Sequence, residues 1–384
     1  MENQVNIPAE SRSSGGFIYV ACPWTHVGGG MFKVADYLIQ AQSPDIRASA
    51  AELRPLDTRG SGRASYSAWV LTTALAKLVR GRLGGQLRGV HINMAERLSL
   101  IRKSVVVVTC RLLGVPVVLH LHAAQLHHAY RRMASPMQAV IRWIFSLPTC
   151  VVVLGQSAHK FVTEDLGVPP SKVEIVINGV PGPSAARRVN AAGSTKRLFF
   201  LGSDWERKGL FDLLKALAHP DFERDGVELV VAGRGDIEAC RKRATDLGVA
   251  GLVRFEGWAD QQKAARLLAE TDALVLPSYD EGLPLVILEA LGNGVAVVCT
   301  PVGEIPTVLT DGVDVCFVQP GDIAGIAAGL NKVLGDPGYR ALLERNGRAL
   351  YEQQFSLGRF FTRVAEIHRK HFGTSAALRE GSLP

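Results

Sequence analysis

The sequence lacks the features that mark several protein classes. Aromatic residues make up only 7% of its 384 residues, and no uncharged apolar run reaches the roughly 18 residues that suggest a membrane-spanning helix. The six cysteines have no C-x2-C spacing and no neighbouring histidine pair, so we expect buried thiols in a reducing compartment and no metal site. Residues 1–15 lack the basic and apolar regions of a signal peptide and are expected to form a disordered tail. These absences favour a cytoplasmic protein.

Acidic residues are almost absent from one long stretch. Residues 58–150 contain 13 basic residues and one acid, Glu96, although the net charge of the whole chain is only +7. Such a field favours an anionic partner, namely nucleic acid, anionic lipid or a phosphate-bearing acceptor. The basic residues match no nucleic-acid-binding motif, so nucleic acid is not expected. Two basic helices are predicted, at residues 66–87 and 130–147. Either could lie on an anionic membrane surface. Alternatively, each is an ordinary helix that packs on a sheet and exposes its basic face to solvent.

Apolar runs alternate with helical patterns along most of the chain. A length of 384 residues with 47% apolar content suits two domains. Regular alternation of strand and helix predicts α/β domains with doubly wound parallel sheets. Strands are predicted at residues 17–22, 89–93, 115–122, 150–155, 172–177, 197–202, 227–232, 252–255, 272–277, 295–300 and 313–318. A stretch rich in Pro, Gly, Ser and Ala, residues 181–194, has the composition of a linker between the two halves.

The richest local pattern is SYDEGLPLVILEALGNG, residues 278–294. It predicts a strand, an acidic loop and a helix, with Pro284 as the first helical residue and free amides beside Glu281 that suit an anion. Gly282 allows the backbone to approach a ligand closely. Glu289 lies five residues past Pro284, roughly 7.5 Å further along the helix. The carboxylates of Glu281 and Glu289 could bind hydroxyls of a nucleotide-sugar. Alternatively, Glu281 is an acid that caps the helix and Glu289 is a solvated glutamate on the helix.

Three other groups of residues suit ligand binding. Arg207 and Lys208 follow a predicted strand and could neutralise a diphosphate, or they are two surface cations. His120 and His122 alternate at the end of a buried strand, where open α/β sheets bind ligands, or they form hydrogen bonds within the core. A tight turn that brings a helix start towards an anion is predicted after the first strand, at Gly28, Gly29 and Gly30.

The E-x7-E spacing of Glu281 and Glu289, with Glu-Gly-Leu-Pro opening the helix, resembles the retaining glycosyltransferases of family four, the group 1 glycosyltransferases. Arg207-Lys208-Gly209 is similar to the diphosphate-binding loop of that family. The resemblance implies a GT-B fold, in which two Rossmann-like doubly wound parallel-sheet domains face each other across a cleft. The implied parts are an acceptor-binding domain at 16–183, a donor-binding domain at 195–355 and a last helix, 356–373, that crosses back. Asp280 is a departure from the family pattern, because many members have a neutral residue at this position.

The resemblance also implies the reaction and its site. A sugar would move from a UDP- or GDP-sugar, with retention and without metal or cofactor, to a saccharide or polyprenyl-diphosphate-linked acceptor in bacterial envelope or exopolysaccharide synthesis. His122 and Glu281 would contact the sugar, His120 would support His122, Glu289 would bind the ribose, and Gly28–Gly30 would face the donor phosphates or the acceptor. The implied donor-binding residues are Arg207, Lys208, Gly233, Trp258, Glu281, Gly282, Leu283, Pro284 and Glu289.

Two alternatives remain for the function. A non-catalytic nucleotide-sugar-binding module would keep the second domain, but it would not need His122. A sugar-nucleotide epimerase of the same fold would isomerise its substrate without an acceptor.

Overall fold

The computed structural model describes residues 15–24, 29–42, 50–60, 64–96, 98–123, 125–183 and 195–377. Residues 1–14 of the predicted tail, the predicted turn residue Gly28 and residues 184–194 of the predicted linker lie outside the described residues. Within those ranges, twelve strands form two six-stranded parallel sheets, and helices connect the strands. The predicted α/β class is therefore confirmed.

The first sheet has the strand order β2-β1-β3-β4-β5-β6. Phe17–Cys22 is buried along its whole length, as a parallel strand covered on both faces requires, and it pairs in parallel with two neighbours. The strands are β1 (Phe17–Cys22), β2 (Glu52–Asp57), β3 (Leu87–Met94), β4 (Val117–Leu121), β5 (Cys150–Val153) and β6 (Val173–Ile175). The helices are α1 (Gly30–Gln40), α2 (Ala64–Leu83), α3 (Leu98–Leu112), α4 (Leu126–Arg131), α5 (Ser135–Ser146) and α6 (Gln156–Lys160).

The second sheet has the strand order β12-β11-β10-β7-β8-β9 and lies within an apolar core. Its strands are β7 (Lys196–Leu201), β8 (Val227–Ala232), β9 (Val253–Gly257), β10 (Ala273–Leu276), β11 (Ala296–Cys299) and β12 (Cys316–Phe317). The helices are α7 (Leu210–Ala218), α8 (Ile237–Asp246), α9 (Gln261–Ala269), α10 (Leu285–Gly292), α11 (Ile305–Val308), α12 (Ile323–Gly335), α13 (Pro337–Leu350) and α14 (Leu357–Phe372). Strands β11, β10 and β7 are neighbours, so the loops that follow them leave the sheet at the same edge.

The described residues divide into two compact units whose boundaries do not follow the two sheets. One unit contains residues 15–120, 143–151 and 363–377, and the other contains residues 121–142 and 152–362. The last residues of α14 thus belong to the unit of the first strands. The predicted domain bounds stay a prediction.

Two local predictions are wrong. The helix expected at 130–147 is two helices, α4 and α5, because Pro136 would remove an amide and clash inside a continuous helix. The strand expected at 313–318 is reduced to the two residues of β12, because residues 310–315 form a hydrogen-bonded turn.

Candidate functional site

Three loops meet at the carboxyl edge of the second sheet. They follow β7, β10 and β11, and backbone hydrogen bonds tie them together. The amide of Tyr279 donates to the carbonyl of Arg207 at 2.9 Å, and the amide of Glu304 donates to the carbonyl of Gly282 at 3.0 Å. Side chains from three separate stretches of sequence are therefore held in one place.

Glu281 is the centre of this loop cluster. Its carboxylate is buried, with 9% of the residue exposed. Lys208 Nζ donates to Oε1 at 2.5 Å, Ser278 Oγ donates to the same oxygen at 3.2 Å, and Arg207 Nη1 lies 3.7 Å from Oε2. The structure thus brings together three predicted site residues. Two cations thus face this carboxylate, and N–H donors of this kind suit an anionic ligand.

Arg207 is fixed by two further contacts. Its Nη1 donates to the carbonyl of Asp280, and its Nε donates to Asp204 Oδ2 at 3.1 Å. The carboxylate of Asp280 accepts from Gln125 Nε2 at 2.9 Å. The guanidinium is therefore oriented by a backbone carbonyl as well as by a carboxylate, which limits its rotamers before any ligand binds.

Gly303 allows the third loop to approach Glu281. Its φ of +60° lies in the left-handed region, and a Cβ built at this residue would be 1.9 Å from the carbonyl oxygen of Glu281. Only glycine fits such an approach without moving the backbone. The position of Glu281 therefore depends on a residue that carries no side chain.

The helix after Glu281 begins one residue later than predicted. Pro284 is the N-cap residue of α10, with ψ at 124°, and Leu285 is the first helical residue. Leu283 is buried and Gly282 half-buried in the segment before the helix. Glu289 lies on α10 and is also buried, which is unusual for a glutamate and excludes the solvated position considered from the sequence.

Gly233 and Trp258 follow the neighbouring strands β8 and β9 at the same sheet edge. The amide of Gly233 donates to the carbonyl of Gly257 at 2.8 Å, which ties the two loops together. Trp258 is 46% exposed, and the guanidinium of Arg234 lies 4.5 Å from the centroid of its ring. An exposed indole held by a cation offers a flat surface for a planar ligand group.

The two predicted histidines have different environments. His120 lies within β4 and is completely buried, with Nδ1 3.3 Å from Nε2 of His91. His91 Nδ1 is in turn 2.9 Å from Nε2 of His368. Burial lowers the pKa of His91 to about 4 and that of His368 well below its ordinary value, so these two histidines are neutral at pH 7. His122 follows the end of β4 and is half-buried; the contacts that hold Glu281 do not include it.

The glycine turn after β1 is described in part. Gly29 is the N-cap residue of α1, Gly30 is its first residue, and Gly28 lies outside the described residues. A Cβ at Gly29 would meet no atom within 4 Å, so space is open beside this helix start.

The described residues show neither a metal-ligand cluster nor a helix suited to span a membrane. In the described residues, no group of three or more His, Cys, Asp or Glu side chains is placed to hold a metal ion. Among the helices given above, none combines the length and apolar character that a membrane crossing needs.

Two family models match this chain. The model for Glycosyl transferases group 1 matches residues 195–336, which include the loops around Glu281, and that for Glycosyltransferase Family 4 matches residues 65–181. The chain belongs to the group 1 glycosyltransferases of family 4. The resemblance seen in the sequence is therefore confirmed over both sheets.

Relatives of this glycosyltransferase are moderately similar. A glycogen synthase of Mycobacterium tuberculosis is 27% identical over 266 residues, which are 66% of this chain and 63% of the relative. A lipopolysaccharide core biosynthesis glycosyltransferase, LpsE, of Rhizobium meliloti is 36% identical over 157 residues, or 41% of this chain and 44% of the relative. The chain thus spans less than two thirds of the length of both relatives.

The fold of this glycosyltransferase has known counterparts. A crystal structure of Anabaena Alr3699/HepE in complex with UDP and glucose matches with a TM-score of 0.72 at 16% identity, covering 92% of this chain and 99% of that one. The match confirms the GT-B fold that the sequence resemblance implied.

Four residues that contact the predicted site residues or their chain neighbours could not be identified from the sequence. Asp204 precedes Arg207 by three residues, a spacing that suggests an ion pair but is common on any surface. Ser278, Gln125 and Arg234 carry no signal at all in one sequence, because their contacts depend on how loops are folded.

Proposed function

We propose that this glycosyltransferase is a retaining enzyme that transfers a sugar from a nucleotide-diphosphate-sugar to a saccharide or lipid-linked saccharide. The observation that carries the proposal is the buried Glu281 carboxylate with Lys208 bonded to it and Arg207 beside it. The two cations stabilise the negative charge that develops on the departing diphosphate, and preorganised charges of this kind are usually the largest catalytic contribution. Glu281 accepts hydrogen bonds from hydroxyls of the sugar.

Lys208 has a second part in this proposal. An ammonium has three N–H donors, and one of them reaches Glu281. The remaining two are available for diphosphate oxygens, so one side chain links the sugar-binding carboxylate to the leaving group. The free amides at the start of α10, after Pro284, add a positive dipole on the same segment.

The other predicted residues complete the donor site in this proposal. Buried Glu289 binds the ribose, Trp258 lies beside the base, and the Gly233 loop passes it. His122 contacts the sugar near its reacting carbon, and the start of α1 faces the donor phosphates or the acceptor. Because Arg207 and Lys208 supply positive charge, we propose that transfer needs no metal or other cofactor.

Similar proteins support the donor class and the pathway. The Anabaena structure that shares this fold holds UDP and glucose, and the Rhizobium relative is named for lipopolysaccharide core biosynthesis. We propose a UDP- or GDP-sugar as donor and a saccharide or polyprenyl-diphosphate-linked acceptor, in bacterial envelope or exopolysaccharide assembly.

The test is a binding and hydrolysis screen with UDP, GDP and their sugars in the presence of EDTA. We compare the wild type with Lys208→Ala and Glu289→Ala, and with Lys242→Ala, which removes an exposed lysine of α8 that pairs with Asp246. One nucleotide should stabilise the wild type and Lys242→Ala, while both site variants lose about tenfold or more in affinity. Equal affinity in all four proteins would refute the donor site, and a requirement for added metal would refute metal independence.

We also propose that this enzyme binds the surface of an anionic membrane on the cytoplasmic side. The support is an unusual exposed apolar surface on α2 and α3, here called the apolar face. It comprises Tyr66, Trp69, Val79 and Leu83 on α2, and Leu98, Ile101, Val105 and Leu112 on α3. On α3 these residues follow a helical spacing that places them on one side, yet that side is exposed rather than buried.

The two helices present these residues together. Arg82 Nε on α2 donates to the carbonyl of Leu113 at 2.9 Å, just after α3, so the carboxyl ends of the helices are adjacent. Leu83 and Leu112, at those ends, are 82% and 83% exposed. Exposed Lys77 and Arg80 lie on α2 between Trp69 and Leu83. Apolar anchors beside cations complement a bilayer with anionic headgroups.

Sedimentation with vesicles at low salt tests this part. The wild type should bind vesicles that contain phosphatidylglycerol and not pure phosphatidylcholine, and Leu112→Ser with Ile101→Ser should reduce binding about tenfold or more. Val313→Ser, which changes an exposed valine in the turn before β12, is the matched control. If the wild type did not bind these vesicles, the membrane proposal would be refuted. It would also be refuted if the wild type were a dimer that the two α3 substitutions dissociate, because the apolar face would then be a protein interface.

A further inference from the structure

A buried lysine of the first sheet has no carboxylate partner. Lys103 on α3 is completely buried, and its Nζ donates to Thr58 Oγ1 at 2.5 Å. In the part of the chain that the structure describes, no carboxylate lies within 4 Å of that nitrogen. Burial lowers the pKa of Lys103 to about 8, so the group is still mainly charged at pH 7. A buried charge of this kind is unfavourable unless an opposite charge compensates it.

Two arginines extend this charge towards the surface. Arg102 is half-buried, and its Nε is buried without a hydrogen-bond partner in the residues described. The hydrogen bond between Lys103 and Thr58 brings together the two segments that carry Arg102 and Arg59. Burial, followed by repulsion from Arg59, lowers the pKa of Arg102. Arg59 is exposed. Positive charge therefore continues from a buried ammonium to a solvent-exposed guanidinium.

The nearby carboxylate is already occupied. Asp57 Oδ1 accepts from the backbone amides of Trp24, Arg59 and Gly60 at 3.3, 2.9 and 3.1 Å. Asp57 attracts both Arg102 and Lys103 at longer range but pairs with neither. Three cations against one carboxylate leave a net charge of +2, equal and opposite to that of a phosphate dianion.

The position in the fold suits a ligand. Asp57 ends β2, Thr58 and Arg59 follow it, and Trp24 follows the neighbouring strand β1. The carboxyl edge of an open parallel sheet is where such folds bind ligands. These residues belong to the first sheet, whereas Arg207 and Lys208 belong to the second, so the two cation clusters are separate sets.

We infer that Arg59 and Arg102, with the buried charge of Lys103 behind them, form a binding site for a phosphoryl group of the acceptor. Arginine guanidinium groups bind phosphate oxygens through paired N–H donors, and lysine contributes a compact charge. A phosphate oxygen also supplies the acceptor that Arg102 Nε lacks. The inference rests on the proposed transferase function and narrows its acceptor to a molecule that carries a phosphate or diphosphate.

The test uses inorganic phosphate and pyrophosphate as probes, at pH 7 and constant ionic strength, with binding measured by calorimetry. We expect Arg102→Gln and Arg59→Gln to weaken binding of one of these anions about tenfold or more. Arg111→Gln, which removes an exposed arginine in the last turn of α3, should leave it unchanged. Arg59 is exposed, so its substitution tests the site even where a change at Arg102 lowers stability.

Other outcomes would overturn the inference. Equal anion binding by the wild type and both arginine variants would refute the site. The site would also be refuted if Lys208→Ala abolished pyrophosphate binding and Arg102→Gln retained it. Arg102→Gln should bind UDP and GDP as the wild type does. A failure of the phosphoryl-site inference can therefore be distinguished from a failure of the proposed donor site. To separate a soluble phosphate from a lipid source, we compare vesicles with and without polyprenyl diphosphate. Binding gained with that lipid and lost in Arg102→Gln indicates a lipid-linked acceptor, whereas a response to inorganic phosphate alone indicates a soluble phosphomonoester.

Discussion

Replacing Gly303 by alanine should separate two effects of a left-handed glycine. An alanine with φ near +60° costs about 1–2 kcal/mol in backbone strain. At Gly303 the new Cβ would also lie 1.9 Å from the carbonyl oxygen of Glu281. Ordinary contact needs about 3.5 Å, so the two loops must move apart by more than about 1 Å. That movement displaces the carboxylate that Lys208 holds.

Gly312 provides the matched control. Its φ of +68° is nearly the same, but a Cβ there would meet no atom within 4 Å. Gly312→Ala should therefore lose the same 1–2 kcal/mol of stability, about 2–8 °C in Tm, without disturbing Glu281. A displacement of about 1 Å at a reacting centre can reduce the rate about hundredfold. We expect that loss in Gly303→Ala alone.

The assay is the initial rate of nucleotide-sugar hydrolysis at saturating donor, together with Tm for both variants. Comparing the variants subtracts the backbone strain that they share. If Gly303→Ala and Gly312→Ala had equal rates and equal Tm values, the close approach to Glu281 would have no functional role and the reasoning would fail.

Two further predictions concern buried groups. The folded-state pKa of His91, about 4, is below the ordinary 6.5, so the unfolded chain binds more protons as the pH falls below 6.5 and stability decreases. Denaturant unfolding should give about 2 kcal/mol less stability at pH 5 than at pH 7; His91→Gln should reduce this difference, and an unchanged difference would contradict the assignment. All six cysteines are buried, and burial raises the pKa of Cys22 and Cys110 to about 12. A thiol reagent at pH 7 should therefore label the native protein slowly and all six thiols in denaturant, whereas rapid native labelling would show that a thiol is accessible.

Much of the fold could be predicted because parallel strands buried on both faces are short apolar runs. β1 and β8 begin and end at the predicted residues, Phe17–Cys22 and Val227–Ala232. The meeting of Arg207, Lys208 and Glu281 also follows from the sequence, since loops after neighbouring parallel strands share one edge. What could not be predicted is which polar atom each side chain contacts, because loop conformation decides it.

The apolar face shows a different limit. On α3, the spacing of Leu98, Ile101 and Val105 is that of a helix face packed on a core. In the structure this side is exposed, and the opposite side, with Val106 and Val107, is buried. Both sides of the helix are apolar, so periodicity could not decide between them, and packing against the sheet did.

The two cation clusters differ in one way that an experiment can measure. In the second sheet, Glu281 already neutralises part of the charge of Arg207 and Lys208, so a donor diphosphate partly replaces an internal partner. In the first sheet, Lys103 and Arg102 have no ion-pair partner within the described residues. Salt should therefore weaken phosphoryl binding at Arg102 more steeply than nucleotide binding at Lys208, because the net charge that attracts the ligand is larger. Calorimetric titrations at about 0.05 and 0.5 M salt measure both slopes, and a steeper slope for the nucleotide would contradict this account of the charges.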